Sequence, residues 1–270
     1  MIVDFHTHIY PDKIAEATIL KLETNANVKA YTNGTLKGLK SSMKDAKVNV
    51  SVVLPVVTNP KQFESVNKFA YNITEKEIKE EKDNIISFGG IHPDTADYKG
   101  ELKQIYDLGL KGIKLHPDYQ QVFFDDIKYM RIIDYASELG LIVSVHAGLD
   151  GAFMECTHCT PKRALNVIKE VKPLKLVLAH TGGYAMWNDV EEFIVGEEVY
   201  IDTSFSLGHI DNEQFMRIVK NHGVNKVLFA TDSPWGNQKD MLESFMSLDF
   251  TKEEKDAILS KNALNLLGIS

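Results

Sequence analysis

Cysteine is almost missing from this sequence: 270 residues carry two, Cys156 and Cys159. Two thiols so close together cannot build a disulfide framework, and their scarcity fits a reducing compartment. No apolar run approaches the roughly 20 residues that a membrane-spanning helix needs. The opening Met1-Ile2-Val3-Asp4 has no basic stretch, hydrophobic stretch or cleavage site of a secretory leader. A cytoplasmic protein without membrane contact is the expectation. Excess positive charge is absent as well, since Asp and Glu outnumber Lys and Arg 38 to 30, a formal charge of −8. That balance argues against a general binder of nucleic-acid backbones or anionic lipid and leaves a small molecule as the expected partner. There is no Gly-x-Gly-x-x-Gly turn after the first apolar run, which counts against a dinucleotide-binding fold. Linkers and low-complexity tracts are lacking too, so one domain over residues 1–270 is the simplest organisation.

What the chain does have is alternation. Its 44% hydrophobic content can fill a sizeable core. Eight short apolar runs recur, each followed by a helix-like segment: Ile2 to Phe5, Val48 to Leu54, Ile85 to Gly90, Gly112 to Leu115, Leu141 to Val145, Leu176 to Ala179, Val199 to Asp202 and Val227 to Ala230. Repeated βα units imply a parallel sheet, and eight of them suit a closed (β/α)8 TIM barrel. Thr160 reads as an N-cap ahead of Pro161 at the first helical position. Asp125 to Gly140 carries an apolar stripe of helical period and stops on a glycine, and a last helix is expected over Thr251 to Leu267. The connections Ile9 to Thr35, Pro117 to Phe124 and Ala147 to Thr160 are long and carry aromatics and glycines. Such loops build the rim of a barrel's pocket, and Tyr10, Tyr31, Tyr119, Phe123, Phe124, Phe153 and Trp235 are the rim candidates.

The C-terminal ends of these runs gather the chemistry. His6, His8, His92, His116, His146 and His180 lie there, six of nine histidines, and Asp232 follows the last run. On a strand, residues two apart share a face, so His6 and His8 project together, with Asp4 expected below them. Two neutral imidazoles on one face suit a divalent ion such as zinc. Barrel closure would bring the last run beside the first, and Asp232 with it. Lys114 shares a face with His116 and points to the barrel mouth. His92 and His116 each precede a proline; hydrogen-bonded histidines of the barrel's upper layer and substrate contacts are both open for them. Cys156-Thr157-His158-Cys159 offers three donors where a structural zinc wants four, so reduced thiols without metal are expected.

Five segments in order, Asp4-Phe5-His6-Thr7-His8 with Tyr10-Pro11, Gly112-Ile113-Lys114-Leu115-His116-Pro117, Val145-His146-Ala147-Gly148, Ala179-His180-Thr181-Gly182-Gly183 and Ala230-Thr231-Asp232-Ser233-Pro234-Trp235, resemble the amidohydrolase superfamily, and within it the amidohydrolase-related branch. The resemblance implies a TIM barrel with its metal site at the C-terminal face of the strands. It implies His6, His8 and His146 as metal ligands, and Asp232 as a ligand that also shuttles the proton. His180 matches a histidine that acts on water or substrate in one-metal members and is a ligand in two-metal members. One divalent ion, zinc, is expected; a second, bridged by a carboxylated Lys114, remains open, as do Lys114 and His116 as substrate contacts. The implied activity is hydrolysis of a small ester, lactone, amide or related bond by a metal-activated water. Decarboxylation of the aminocarboxymuconate semialdehyde decarboxylase type stays as the alternative, disfavoured because those relatives look longer and carry insertions. A histidinol-phosphatase-type phosphoesterase ranks below both, because Ile9-Tyr10-Pro11 follows the histidines where that family tends to have Ser-Asp-Gly. Substrate identity and oligomeric state, a homo-oligomer included, stay open.

Overall fold

The apolar runs become parallel strands in the computed structural model, which describes residues 1–79 and 84–269. β1 (Val3–Thr7), β2 (Val50–Val53) and β3 (Ile85–Ser87) form one sheet. β4 (Gly89–Gly90), β5 (Gly112–Leu115), β6 (Ile142–Val145), β7 (Leu176–Leu178), β8 (Tyr200–Asp202) and β9 (Val227–Leu228) form a second, in sequential order. Single backbone bonds join the two. At one seam Phe5 N donates to Phe229 O at 2.9 Å, Asp232 N to His6 O at 2.8 Å and His8 N to Ser233 O at 2.6 Å; at the other, Phe88 N reaches Val53 O at 2.9 Å. The ring of a (β/α)8 barrel results, with the first and last strands side by side.

The run Ile85 to Gly90, expected as one strand, is broken at Phe88. The Asn67 side chain takes the place of a strand neighbour there, accepting from Gly90 N and donating to Gly90 O, both at 2.9 Å. Phe88 turns fully inward and meets Phe5 edge to face, centroids 5.9 Å apart. An inner apolar cluster of Val3, Phe5, Val50, Val52, Phe88, Ile142, Val177 and Leu228 draws on strands from opposite sides of the ring, so it fills the barrel interior. Ala263, Leu266 and Leu267 of the C-terminal helix pack onto it. A larger cluster lies between the strands and the outer helices.

Some helices follow the expectation and others depart from it. The first connection contains a helix at Asp12–Ala26, whose apolar residues form no stripe because only Ala15 and Ile19 are buried. Pro117–Gln120 is a short helix, and the Asp125 to Gly140 segment is helical over Ile127–Glu138, capped by Asp126. Thr160 caps Pro161–Val171 by accepting from Arg163 N. The last helix is interrupted by a π turn at Ala257–Lys261, which frees Ile258 O to accept Phe229 N at 2.9 Å. Phe124, a rim candidate, is instead fully buried against Tyr129. Among the described residues no helix is long and apolar enough to cross a membrane.

Candidate metal centre

Strand ends supply the site. β1 carries His6 and, just beyond its end, His8, while the segment after β9 carries Asp232. Asp232 (φ 65°) and His180 (φ 59°) both stand in the left-handed backbone region. Aspartate and histidine tolerate that region better than most residues, and such positions cluster at functional sites at a cost of about 1–3 kcal/mol each. Asp4 does not join its strand neighbours. The register of β1 shifts between Asp4 and Thr7, and the Asp4 carboxylate instead accepts from Thr231 Oγ1 at 2.6 Å and Gln238 Nε2 at 2.7 Å.

His6 Nε2 and His8 Nε2 lie 3.1 Å apart. Asp232 Oδ1 is 3.4 Å from the first and 3.1 Å from the second. Their other nitrogens are committed: His6 Nδ1 faces Asp202 Oδ2 at 3.0 Å and His8 Nδ1 faces Leu54 O at 2.7 Å. Both of those partners only accept, so in each ring Nδ1 is the donor to them and Nε2 is the atom turned towards Asp232. Two imidazole nitrogens and a carboxylate oxygen thus converge, a donor set that suits a divalent cation. The residues fit a divalent ion. Burial, then the charge of Lys114, pulls His6 down to about 4, which keeps it neutral and able to ligate at neutral pH. Burial opposes ionisation of Asp232, yet His6, His8 and His180 outweigh it and hold the carboxyl below the usual carboxylate range. Asp202 is likewise drawn down to about 2, against burial, by His6, His180 and Ser204.

Lys114 is fully enclosed, with Nζ 3.1 Å from His6 Nε2. Burial lowers it to about 8, while the charges of Asp202 and Asp232 oppose the change. His180 gives its Nδ1 proton to Ser204 O at 3.0 Å and turns Nε2 to His146 Nδ1, 2.9 Å away. The five expected ligands therefore divide: His6, His8 and Asp232 converge as one donor group, and His146 and His180 pair with each other.

Next to that pair is a second group, His116, His146 and Asp150. The rings of His116 and His146 stack at 4.2 Å and 7°. Asp150 Oδ2 stands 3.5 Å from His116 Nε2 and 4.0 Å from His146 Nε2, and Asp118 Oδ2 is 3.8 Å from the latter. Asp118 Oδ1 is held twice by His158, through its backbone N and Nδ1, each at 2.9 Å. His92 accepts from Asp94 N at 3.1 Å, a local structural bond. Cys156 is exposed and Cys159 buried, and both are free thiols.

Asp202, Asp118 and Asp150 escaped the sequence reading. Asp202 closes the seventh run, so the rule that gathered the histidines also marks it. Asp118 lies in the single-turn helix Pro117–Gln120 and Asp150 in a loop, where no periodicity identifies a partner.

The sequence matches the model of a family described as amidohydrolase over residues 3–269. No curated protein matches it. Among solved structures it is similar to a 5-carboxyvanillate decarboxylase from Novosphingobium aromaticivorans, complexed with manganese, at TM-score 0.75 and 12% identity, covering 100% of this chain and 96% of that one. A 5-carboxyvanillate decarboxylase from Sphingomonas paucimobilis gives 0.72 and 13%, covering 100% and 99%. A putative amidohydrolase from Staphylococcus aureus gives 0.72 and 18%, covering 99% of each chain. Both decarboxylases are matched along nearly their whole chains.

Proposed function

The chain belongs to the amidohydrolase family, and from that premise we propose that it is a metal-dependent enzyme that hydrolyses an ester, lactone, amide or related bond of a small molecule. The observation that carries this reading is the convergence of His6 Nε2, His8 Nε2 and Asp232 Oδ1 within 3.4 Å. These three would hold one divalent ion. Two imidazoles and a carboxylate suit zinc, the ion expected from the sequence, and equally manganese, the ion in the N. aromaticivorans decarboxylase. When bound, the ion supplies Lewis acidity, polarising a substrate oxygen and making water acidic enough to react near pH 7.

The chain's own groups do the rest. Asp232, kept ionised by its neighbours, accepts a proton from the attacking water at a carboxylate oxygen and returns it to the departing oxygen or nitrogen. Water's oxygen becomes bonded to the carbonyl carbon, the bond to the leaving group breaks, and an acid and an alcohol or amine result. His180, whose Nε2 faces His146, lies close enough to His6, at 5.4 Å between ring centroids, to act on the same water or substrate. Lys114 and His116 are the proposed contacts for a substrate anion or carbonyl.

Decarboxylation is the second reading, favoured by the alignment with 5-carboxyvanillate decarboxylases over 96% and 99% of their chains. In it the carbon–carbon bond to a substrate carboxylate breaks, carbon dioxide leaves and a proton takes its place on carbon.

Metal content and a substrate panel, measured on one preparation, test both. Acid formation from esters, lactones or amides that stops on chelation and returns with zinc or manganese supports hydrolysis. Metal-dependent carbon dioxide release from aromatic or unsaturated acids supports the second reading. Turnover untouched by complete metal removal would sink both.

A further inference from the structure

His146 meets a buried acceptor on each side of its ring. Its Nδ1 lies 2.9 Å from His180 Nε2, a nitrogen without a proton because His180 Nδ1 donates to Ser204 O. Its Nε2 lies 3.8 Å from Asp118 Oδ2, and neither of these two enclosed atoms has a hydrogen-bond partner among the described residues. A neutral imidazole holds one proton and can serve one side only. With the proton on Nδ1, the contact to His180 is a hydrogen bond, while Nε2 and Asp118 Oδ2 are two acceptors face to face. That accounts for a separation too long for a hydrogen bond. With the proton on Nε2, the carboxylate gains its donor and the Nδ1 lone pair is free for a cation.

We propose that Asp118 is the positioning residue that selects the second of these tautomers, holding the proton on His146 Nε2 so that Nδ1 joins His6, His8 and Asp232 around one divalent ion. This rests on the metal-dependent reading above and requires no particular reaction. Asp118 is wholly buried, and its other oxygen accepts from both His158 N and His158 Nδ1, each at 2.9 Å, which leaves Oδ2 for His146. The neighbouring carboxylate is engaged elsewhere. Asp150 Oδ2 stands closer to His116 Nε2, at 3.5 Å, than to His146 Nε2, at 4.0 Å. His116 Nδ1 accepts from Tyr119 N, so the His116 proton is on Nε2 and turns to Asp150. The two stacked imidazoles, 4.2 Å apart, therefore each have a carboxylate of their own. His180 makes the link to the first donors, its ring centroid 4.7 Å from that of His146 and 5.4 Å from that of His6. A carboxylate behind a metal-bound histidine fixes its tautomer and raises its basicity as a ligand.

The test compares wild type with Asp118→Asn. The full chain, stripped with a chelator, is titrated with Mn2+, and the melting temperature of the metal-free protein is followed in parallel. The asparagine oxygen keeps the two His158 donors, so its amide N–H faces His146 Nε2 and imposes the other tautomer. Mn2+ affinity should fall by about 10–100-fold. The metal-free variant, in which His146 Nε2 has gained a donor, should melt no lower than wild type. A purely structural role for Asp118 would instead lower the melting temperature and leave the affinity where it was. Nitrogen NMR of zinc-loaded wild type with isotope-labelled histidine gives a second measurement that needs no Asp118 variant: the ring signal missing from His146→Gln should show its proton on Nε2. A proton on Nδ1, or unchanged Mn2+ affinity in Asp118→Asn, would overturn the proposal and leave the metal site standing. A wild type that binds no Mn2+ would overturn the proposal and the metal-dependent reading together.

Discussion

Asp202 Oδ2 faces His6 Nδ1 at 3.0 Å and thereby decides which nitrogen of His6 is bare. Its other oxygen receives His180 N at 3.1 Å and Ser204 N at 3.0 Å. One carboxylate at the end of β8 therefore aligns side chains from two other strands. Outer partners of this kind are commonly worth 10–100-fold in metal affinity.

Asp202→Asn should show that effect directly. The asparagine amide can present N–H to His6 Nδ1, which moves the ring proton to Nε2 and removes the lone pair facing Asp232. Affinity for the ion at His6, His8 and Asp232 is expected to fall by about 10–100-fold, read from Mn2+ titration of the chelator-stripped protein. Unchanged affinity would mean that the His6 tautomer is set elsewhere.

Asp232→Asn should separate binding from chemistry. Its oxygen still approaches an ion, but the amide neither accepts the water proton nor balances charge, so turnover should drop by about 10²-fold or more with much of the metal retained. His6→Ala and His8→Ala should lose the ion itself. Rate and metal content measured together on the three variants decide the matter, and near-normal turnover in Asp232→Asn would place proton transfer on another group.

Two buried carboxylates make opposite pH signatures. Burial lifts Asp4 from 3.8 to about 7 against the hydrogen bonds of Thr231 and Gln238, so between about pH 4 and 7 the folded chain binds more protons than the unfolded one. Its contribution to stability then declines as pH rises through that window. Asp202, drawn down to about 2, contributes fully above about pH 4 and loses its contribution as pH falls towards 2. Melting curves of metal-free protein should show Asp4→Asn flattening the first slope and Asp202→Asn the second.

Gly148→Ala tests the wall beside His146. Gly148 has φ +87°, and an added Cβ would sit 2.0 Å from Tyr184 N, where the backbone bridges to Tyr184. Neither neighbour is a flexible side chain, so a loss of about 2 kcal/mol or more is expected. Chemical denaturation measures it, and a change under 0.5 kcal/mol (roughly the scatter of neutral surface variants) would mean the loop shifts freely.

Local pattern made the barrel legible. Alternating β-branched runs and helical stripes mark strands and helices because side-chain period follows backbone geometry, and the seven residues His6, His8, His92, His116, His146, His180 and Asp232 stand at strand ends that the same pattern locates. Where the pattern was silent the reading failed: the Asp12–Ala26 helix buries too little to form a stripe, and the break at Phe88 depends on Asn67, more than twenty residues away in the chain. Only the tertiary structure decided which strand-end residues meet. Register on β1 turned Asp4 away from His6 and His8, and closure of β9 against β1 delivered Asp232 to them. The partners that fix each imidazole's proton, Asp202 for His6, Leu54 O for His8 and Ser204 O for His180, come from other strands and loops. Hydrogen-bond partnership is a property of through-space distance and angle, so a residue's type and position name the donor while the fold chooses the acceptor.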